Sequence, residues 1–380
     1  MAELIALVSK QSLSLVERIR RAWDDGDAIS VLDPDLPLPY LNALIDAVDP
    51  DWVEYQDSPA TPRRRRYDLV EDAALVICTS GTSGTPKAVV HTAGNLAASA
   101  IATGEYLRVT PGEGTWICAL PITHIGGFST ITKALYQGLD LKVFANFDYA
   151  AIAAVARETP SYLPLVRANL AHISPELFKH LILGAGVPPQ ELARNASVTY
   201  GLTETGSGLV YDGVALQGVD LRVAKDGEIL LKGDMIATHY RDGSEIYAAD
   251  GWFHTDDAGE VIDGKLQVHG RRSELIYSGG EKIIPHLVEA EIKKLPSVED
   301  VAVVGVDDPD YQQVAWAFVV TKGGNTPPGI AEIKAVVRRA LPHYYAPRGV
   351  SYLSSLPKTL LGKVQKNRLR ELGGPQKPRD

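Results

Sequence analysis

The sequence predicts a large α/β N-terminal domain, with mostly parallel sheets covered by helices and a small β-barrel-like part, followed by a small α+β domain. Three observations carry this expectation. From residue 73 onward, apolar strand-like runs alternate with helical patterns, which favours a largely parallel sheet flanked by helices. After about residue 213 the runs become short and Gly-punctuated, as in hairpins or a small barrel. At "GRRSELIYSGGEKIIP" the texture shifts again, so the boundary is expected near residue 271, giving domains 1–270 and 271–380.

Taken in order, "SLSLVERIRRAWD" (12–24) carries apolar residues at helical spacing and stops before Gly26. An acidic, Pro-rich link "LDPDLPLPY" leads to a short helix from about Leu41 to Val48. The expected strands "AALVICT", "TWICALP", "DLKVFA", "SYLPLV" and "HLILGAG" then alternate with helices "NLAASAIATGEYL", "GGFSTITKALYQGL" and "YAAIAAVARE". The barrel-like part is read from "GVDLRVAKDGEILLKGDMI" and "GEVIDGKLQVHGR". The last domain reads as a helix (286–295), a strand pair ("VEDVAVVGV", "VAWAFVVT"), a helix (330–341) and a Lys-rich tail.

Composition narrows the function classes. The 380 residues are 45% hydrophobic and 22% charged, as in soluble globular proteins. A net charge of -9 argues against a nucleic-acid partner, and the Arg63–Arg66 run reads as a solvated loop. Cys78 and Cys118 sit in apolar runs without CxxC spacing, so they read as small buried hydrophobes of a reducing compartment. The N-terminus lacks a leader pattern, and no apolar run approaches the ~20 residues that span a bilayer. The expectation is a cytoplasmic protein with no membrane partner.

Four stretches carry chemistry. "TSGTSGTPK" leaves a strand through Thr79, Ser80, Gly81, Thr82, Ser83, Gly84 and Thr85, a nest of N–H groups and hydroxyls suited to phosphate oxygens, with Lys87 as a cation. It is not the GxxxxGK[ST] loop, since no Ser or Thr follows Lys87. "YGLTETGSG" (200–208) sets Glu204 between Thr203 and Thr205; it is an ordinary solvated turn unless Mg²⁺ must be held. "GWFHTDDAG" (251–259) pairs Asp256 with Asp257, which by itself is common turn chemistry. "LPKTLLGKVQKNRLREL" (356–372) places Lys358 and Lys363 before a basic helix. Each has a bland explanation alone; their order and spacing together do not.

In that order the motifs closely resemble the adenylate-forming superfamily of acyl-CoA synthetases, luciferases and nonribosomal peptide adenylation domains. The matching stretches are "TSGTSGTPK", "YGLTET", "WFHTDDAG", "GRRSELIYSGGEKIIP" and "PKTLLGK", spanning residues 79 to 363, whereas the first 70 residues match poorly. The resemblance implies that Thr79–Lys87 holds the β,γ-phosphates of ATP, that Thr203 touches the α-phosphate and that Glu204 binds Mg²⁺. Tyr200 and Gly201 would lie by the adenine, alongside Gly184, Ala185 and Gly186. The ribose would go to Asp257, by register with Gly259, with Asp256 as the alternative where the family commonly has Gly. Arg271 would also reach the ribose. Ser273 falls at the hinge of the small domain, where Asp or Lys is usual, and Gly280 would line the pantetheine channel. Lys363 would be the catalytic lysine, acting with Glu204, Lys87 and Thr203, while His124, Gly126 and Gly208 would face the acyl pocket.

The implied reaction is adenylation of a carboxylate with loss of pyrophosphate, then attack by a thiol. Coenzyme A is the expected acceptor, because no phosphopantetheine-bearing serine motif follows. "YGLTETGSGLVYDGVALQGVDLRV" followed by "DGWFHTDDAGEVIDGKLQVHGR" is further similar to o-succinylbenzoate-CoA ligases of menaquinone biosynthesis, especially the short actinobacterial kind. Their second substrate carboxylate would need a cation, for which Arg167 is one candidate. Another aryl- or acyl-CoA ligase, an amino-acid adenylating enzyme and a non-catalytic nucleotide-binding homologue stay open, and the resemblance is compatible with a homodimer. Keeping Lys87, Glu204 and Lys363 together speaks against a decayed site.

Overall fold

The computed structural model describes residues 2–56, 58–79, 86–184, 191–358 and 364–372. Its first sheet draws several of its strands from the first 70 residues. β1 (Leu4–Val8) and β2 (Ala28–Leu32) are five-residue apolar runs buried throughout, and β1 pairs in parallel with both β2 and β3 (Trp52–Tyr55). β1 and β2 are buried on both faces and have no polar alternation to reveal them; neither they nor the four-residue β3 was anticipated. Between them, α1 (Leu13–Asp24) starts where the Ser12 hydroxyl accepts from the Leu15 N–H, and it buries Leu15, Val16, Ile19 and Ala22. α2 (Leu38–Val48) buries Leu41, Leu44, Ile45 and Val48 against the same sheet. Each fully buried aliphatic side chain contributes about 1.5–3 kcal/mol.

β4 (Thr61–Pro62) follows as an edge strand, then β5 (Ala73–Thr79), the expected "AALVICT". Its partner strand comes next in the chain. "KAVVHT" forms β6 (Lys87–Thr92), which returns antiparallel to β5 before α3 (Ala93–Leu107) begins at a Thr92–Asn95 capping box. β-branched valines favour the strand, and the box marks where the helix starts. The order of this sheet is β16–β6–β5–β2–β1–β3–β4, with β16 being His239–Tyr240.

The second sheet follows the predicted alternation. β7 (Thr115–Cys118), α4 (Ile125–Gln137), β8 (Asp140–Val143), α5 (Tyr149–Glu158), β9 (Ser161–Leu165), β10 (His180–Leu183) and β11 (Ala196–Tyr200) give parallel pairs, with β12 (Val210–Tyr211) and β13 (Val214–Ala215) antiparallel at one edge. Ile117, Leu163, Leu165, Leu181 and Leu183 form its core with Ile152 of α5. The Gly-punctuated strands β14 (Val219–Val223), β15 (Glu228–Gly233), β17 (Phe253–Ile262) and β18 (Lys265–Arg271) make a four-stranded sheet in the order β14–β15–β17–β18.

The chain divides into two compact units. One comprises Met1–Ala224, Ile229–Thr255 and Val261–Gln267; the other comprises Lys225–Glu228, Asp256–Glu260 and Val268–Asp380. The second holds β19 (Ile276–Ser278), β20 (Glu281–Ile283), α6 (Pro285–Ile292), the long antiparallel pair β21 (Val298–Asp308) and β22 (Gln312–Thr321), α7 (Ile330–Ala340), β23 (Gly349–Leu353) and α8 (Lys366–Leu372). Its core joins Val288 and Ile292 of α6 to Val303, Ala317, Val319, Ile333 and Val337. Among the described residues no helix is long and apolar enough to cross a membrane. Cys78 and Cys118 are free thiols whose burial pushes both up to about 12, so they are inert at neutral pH.

Candidate nucleotide site

Lys87 opens β6 directly opposite Thr79, the last residue of β5. The intervening calls Ser80, Gly81, Thr82, Ser83, Gly84 and Thr85 lie outside the described residues. From the second sheet, β11 ends at Tyr200 and runs into a 3-10 turn, Thr203–Thr205. That turn is tied from within by the buried Thr205, whose hydroxyl accepts from the Leu202 N–H at 2.8 Å and faces the Ser207 carbonyl at 2.7 Å. From outside, the Ala237 N–H donates to the Glu204 carbonyl at 2.8 Å.

Two side chains absent from the motif reading complete this cluster. His91 is fully buried and its Nε2 lies 2.8 Å from the Thr203 carbonyl. A carbonyl only accepts, so Nε2 carries the proton; desolvation pulls the imidazole down to about 4 and keeps it neutral. Tyr240, on β16, donates its hydroxyl to Glu204 Oε1 at 3.0 Å, and Lys87 Nζ stands 5.0 Å from its ring centroid. Thr79, Lys87, Thr203 and Glu204 therefore meet in one place. His91 was legible in part: it lies four residues past Lys87 on a strand, hence on the same face. Nothing in the sequence announces Tyr240, because β16 reaches β6 from some 150 residues away.

The glycines of the second motif serve close approach. A Cβ on Gly201 would sit 2.3 Å from the Ser207 carbonyl oxygen, and one on Gly208 would sit 2.7 Å from the Thr199 Cβ. Gly208, expected at the acyl pocket, is thus packed on Thr199. Gly184 follows β10 and donates its N–H to Leu165 O at 3.1 Å, while Ala185 and Gly186 lie outside the described residues.

On α4, His124 is the exposed N-cap residue and Gly126 is exposed with open space around it. Gly127 is different: a Cβ there would fall 2.2 Å from the Pro121 carbonyl oxygen, so its close approach is to backbone. The same helix carries a residue that sequence reasoning passed over. Lys133 is 2% exposed, and its Nζ donates to Ser207 Oγ at 2.7 Å and lies 3.4 Å from Ser129 Oγ and 5.5 Å from the Trp116 ring. Desolvation pushes its pKa down to about 7. The signal was there, since Lys133 is the single charge of "IGGFSTITKALYQ" and shares a face with Ser129 at i, i+4. Arg167, the sequence's candidate for a second substrate carboxylate, is exposed in a 3-10 turn after β9. In the Arg63–Arg66 run, Arg63, Arg65 and Arg66 are paired with Asp46, Asp51 and Asp49, so the run is chiefly framework.

The second unit holds the remaining calls. Asp257 is buried and its Oδ1 lies 3.2 Å from Arg271 Nε, whereas Asp256 is exposed. Asp256 has φ 56, the left-handed conformation that glycine adopts at no cost and aspartate tolerates. That explains how an Asp stands where a Gly is common. Ser273 lies in the 3-10 turn Arg272–Glu274, and its carbonyl accepts from Arg370 Nη2. Gly280 forms, with Gly279, the turn between β19 and β20. Lys363 lies outside the described residues; Lys358, near it in sequence, donates to Asp300 Oδ2 at 2.9 Å.

Among the described residues no three His, Cys, Asp or Glu groups converge on a metal-sized position. A lone half-buried Glu204, already oriented by a phenol, fits Mg²⁺ only as that ion usually binds nucleotides, through one or two carboxylates, phosphate oxygens and water.

Residues 5–241 match the family model described as "AMP-binding enzyme", and residues 287–363 match its C-terminal domain. The chain belongs to the AMP-binding enzyme family. Within the family it is 34% identical over 360 residues to a protein named "Probable 2-succinylbenzoate--CoA ligase" from Mycobacterium tuberculosis, covering 87% of this chain and 93% of that one. A 2-succinylbenzoate–CoA ligase of Enterococcus faecalis is 29% identical, covering 96% and 87%. The AMP-binding fold itself is shared with the o-succinylbenzoate CoA synthetase (MenE) of Bacillus subtilis in complex with OSB-AMP, at TM-score 0.85, 24% identity and 97% and 88% coverage. ATP-bound MatB of Rhodopseudomonas palustris has the same fold, at TM-score 0.81, 22% identity and 98% and 89% coverage.

Proposed function

We propose that this AMP-binding enzyme is an ATP-dependent acid–thiol ligase that converts 2-succinylbenzoate to its CoA thioester by way of an acyl-adenylate. The observation that carries the substrate is the similarity along nearly the whole chain to proteins bearing that name. The site's chemistry supports it.

In the first half-reaction a substrate carboxylate oxygen bonds to the α-phosphorus of ATP, and the bond to pyrophosphate breaks. Charge grows on the phosphoryl oxygens, so oriented donors and cations lower the barrier. Lys87 steadies the departing pyrophosphate, Thr203 donates to the α-phosphate, and Lys363 neutralises the transferring group. Asp257, held by Arg271, accepts from the ribose hydroxyls. Mg²⁺ on Glu204 supplies further charge neutralisation when bound. In the second half-reaction the CoA sulfur bonds to the acyl carbon, the thiol proton is lost, and the bond to AMP breaks. AMP leaves readily, so positioning suffices there.

2-Succinylbenzoate has a second carboxylate, and Lys133 is a buried amine whose hydrogen-bond partners among the described residues are hydroxyls. A buried ammonium without a carboxylate is costly, and an anionic substrate group would offset that cost. We assign Lys133, rather than Arg167, to that carboxylate. The inert buried thiols and the acidic balance agree with a cytoplasmic enzyme without nucleic-acid partners, and we take a homodimer as its working assembly.

The test is pyrophosphate release with ATP, Mg²⁺ and a panel of carboxylic acids, with and without CoA. Release stimulated by 2-succinylbenzoate, with its CoA thioester as product, is the expected result. Release with another acid alone would keep the ligase and discard the substrate. ATP binding without turnover on any acid would favour a non-catalytic nucleotide-binding protein.

A further inference from the structure

Tyr240 lies outside all the motif stretches, yet the phosphate-side groups of the site converge on it. β16 pairs antiparallel with β6 in the register His239↔Val90 and Tyr240↔Val89. Directly opposed residues of an antiparallel pair share a face, as do residues two apart on one strand. One face of this short ladder therefore carries Lys87, Val89, His91 and Tyr240 together. The Thr203–Thr205 turn packs onto that face, with His91 holding the Thr203 carbonyl and the Tyr240 hydroxyl holding Glu204 Oε1 at 3.0 Å.

The next residue makes this placement rigid. Arg241 points the other way and is 3% exposed. Its guanidinium donates to the carbonyls of Val48, Asp49, Tyr67 and Asp68 at 2.9–3.0 Å and to the Asp49 carboxylate at 3.3 Å. Its N–H donates to Ala88 O at 2.8 Å, beside Lys87. So many bonds on one buried side chain fix the β16 backbone, and with it the origin of the Tyr240 side chain.

We propose that Tyr240 is a positioning residue of the nucleotide site: its hydroxyl orients Glu204 for the cation, and its ring steadies the Lys87 ammonium. The inference rests on the nucleotide-site reading above. The two duties separate by substitution, because Tyr240→Phe removes the hydroxyl and keeps the ring, while Tyr240→Leu removes both.

The experiment measures Mn²⁺ binding at saturating ATP by electron paramagnetic resonance, and pyrophosphate binding by calorimetry, on the full chain with no acid present. Tyr240→Phe is expected to weaken Mn²⁺ by about tenfold, the loss of one hydrogen bond to a charged group, with pyrophosphate affinity unchanged. Tyr240→Leu should in addition weaken pyrophosphate about twofold to fivefold, the range for an exposed cation–π contact. In a Glu204→Gln background, Tyr240→Phe should add nothing to the Mn²⁺ loss, a coupling that general destabilisation would not produce. Equal Mn²⁺ affinity in wild type and Tyr240→Phe, or additive losses in the double variant, overturns the inference. If the wild type itself binds no Mn²⁺ with ATP, or Glu204→Gln binds it as tightly, the nucleotide-site reading fails first, and the two failures are told apart.

Discussion

Lys133 is 2% exposed and makes a strong demand on the fold. Its amine is charged in the unfolded chain up to about 10.5 and neutral in the folded chain above about 7. Between those values the unfolded state binds the extra proton, so stability falls as the pH drops from about 10.5 to about 7 and then levels off. A bound carboxylate favours the charged amine, so substrate affinity has the opposite slope. The KM for 2-succinylbenzoate should rise above pH 7, by at most about tenfold per unit, while the KM for ATP stays flat. Lys133→Met should raise the acid's KM at least about tenfold, remove its pH dependence and increase thermal stability at pH 7. An unchanged KM–pH profile in that variant would return the second carboxylate to some other group.

At the scale of elements, α8 shows what a basic C-terminal helix is for. Lys366 is only 14% exposed and sits 3.1 Å from Glu274 and 3.0 Å from Glu289, while Arg370 caps the Ser273 carbonyl. The two carboxylates raise the Lys366 pKa against the opposing effect of burial, so the charge persists through the working pH range. α8 thus ties the turn Arg272–Glu274 to α6. Because Ser273 contributes its carbonyl to this bracing, an Asp or Lys side chain at that position would leave this bond intact. Lys366→Met strands two carboxylates and should destabilise the second unit by ~2 kcal/mol or more, with Lys366→Arg recovering most of it. Urea unfolding followed by Trp316, which lies in the second unit, reads this directly. The same scale marks where sequence reading stopped. Amphipathic α1 and capped α3 declare themselves by spacing and end residues, whereas β1 and β2 are short buried runs that periodicity cannot distinguish from helix interior.

For the whole molecule, the proposal assigns Lys363 to the first half-reaction alone. Lys363→Ala should lower adenylate formation by about a thousandfold, the range for losing one group that stabilises developing charge. It should leave thiolysis of a supplied acyl-adenylate within about twofold. Equal losses in both steps, measured by rapid quench, would mean that Lys363 serves both. What the sequence by itself determined is the set of groups that the proposal gives to phosphate and ribose. Thr79, Lys87, Thr203 and Glu204, and separately Asp257 and Arg271, stand in local motifs whose spacing is set by single loops and turns, and the fold brings each set together. The Asp256 position was ambiguous by one residue until its φ of 56 and its exposure distinguished it from the buried, paired Asp257. Tertiary structure was needed to bring Lys133, His91 and Tyr240 to notice, although Lys133 and His91 left a partial signal in the sequence. Each meets a partner more than 30 residues away in the chain, a contact that local pattern does not announce.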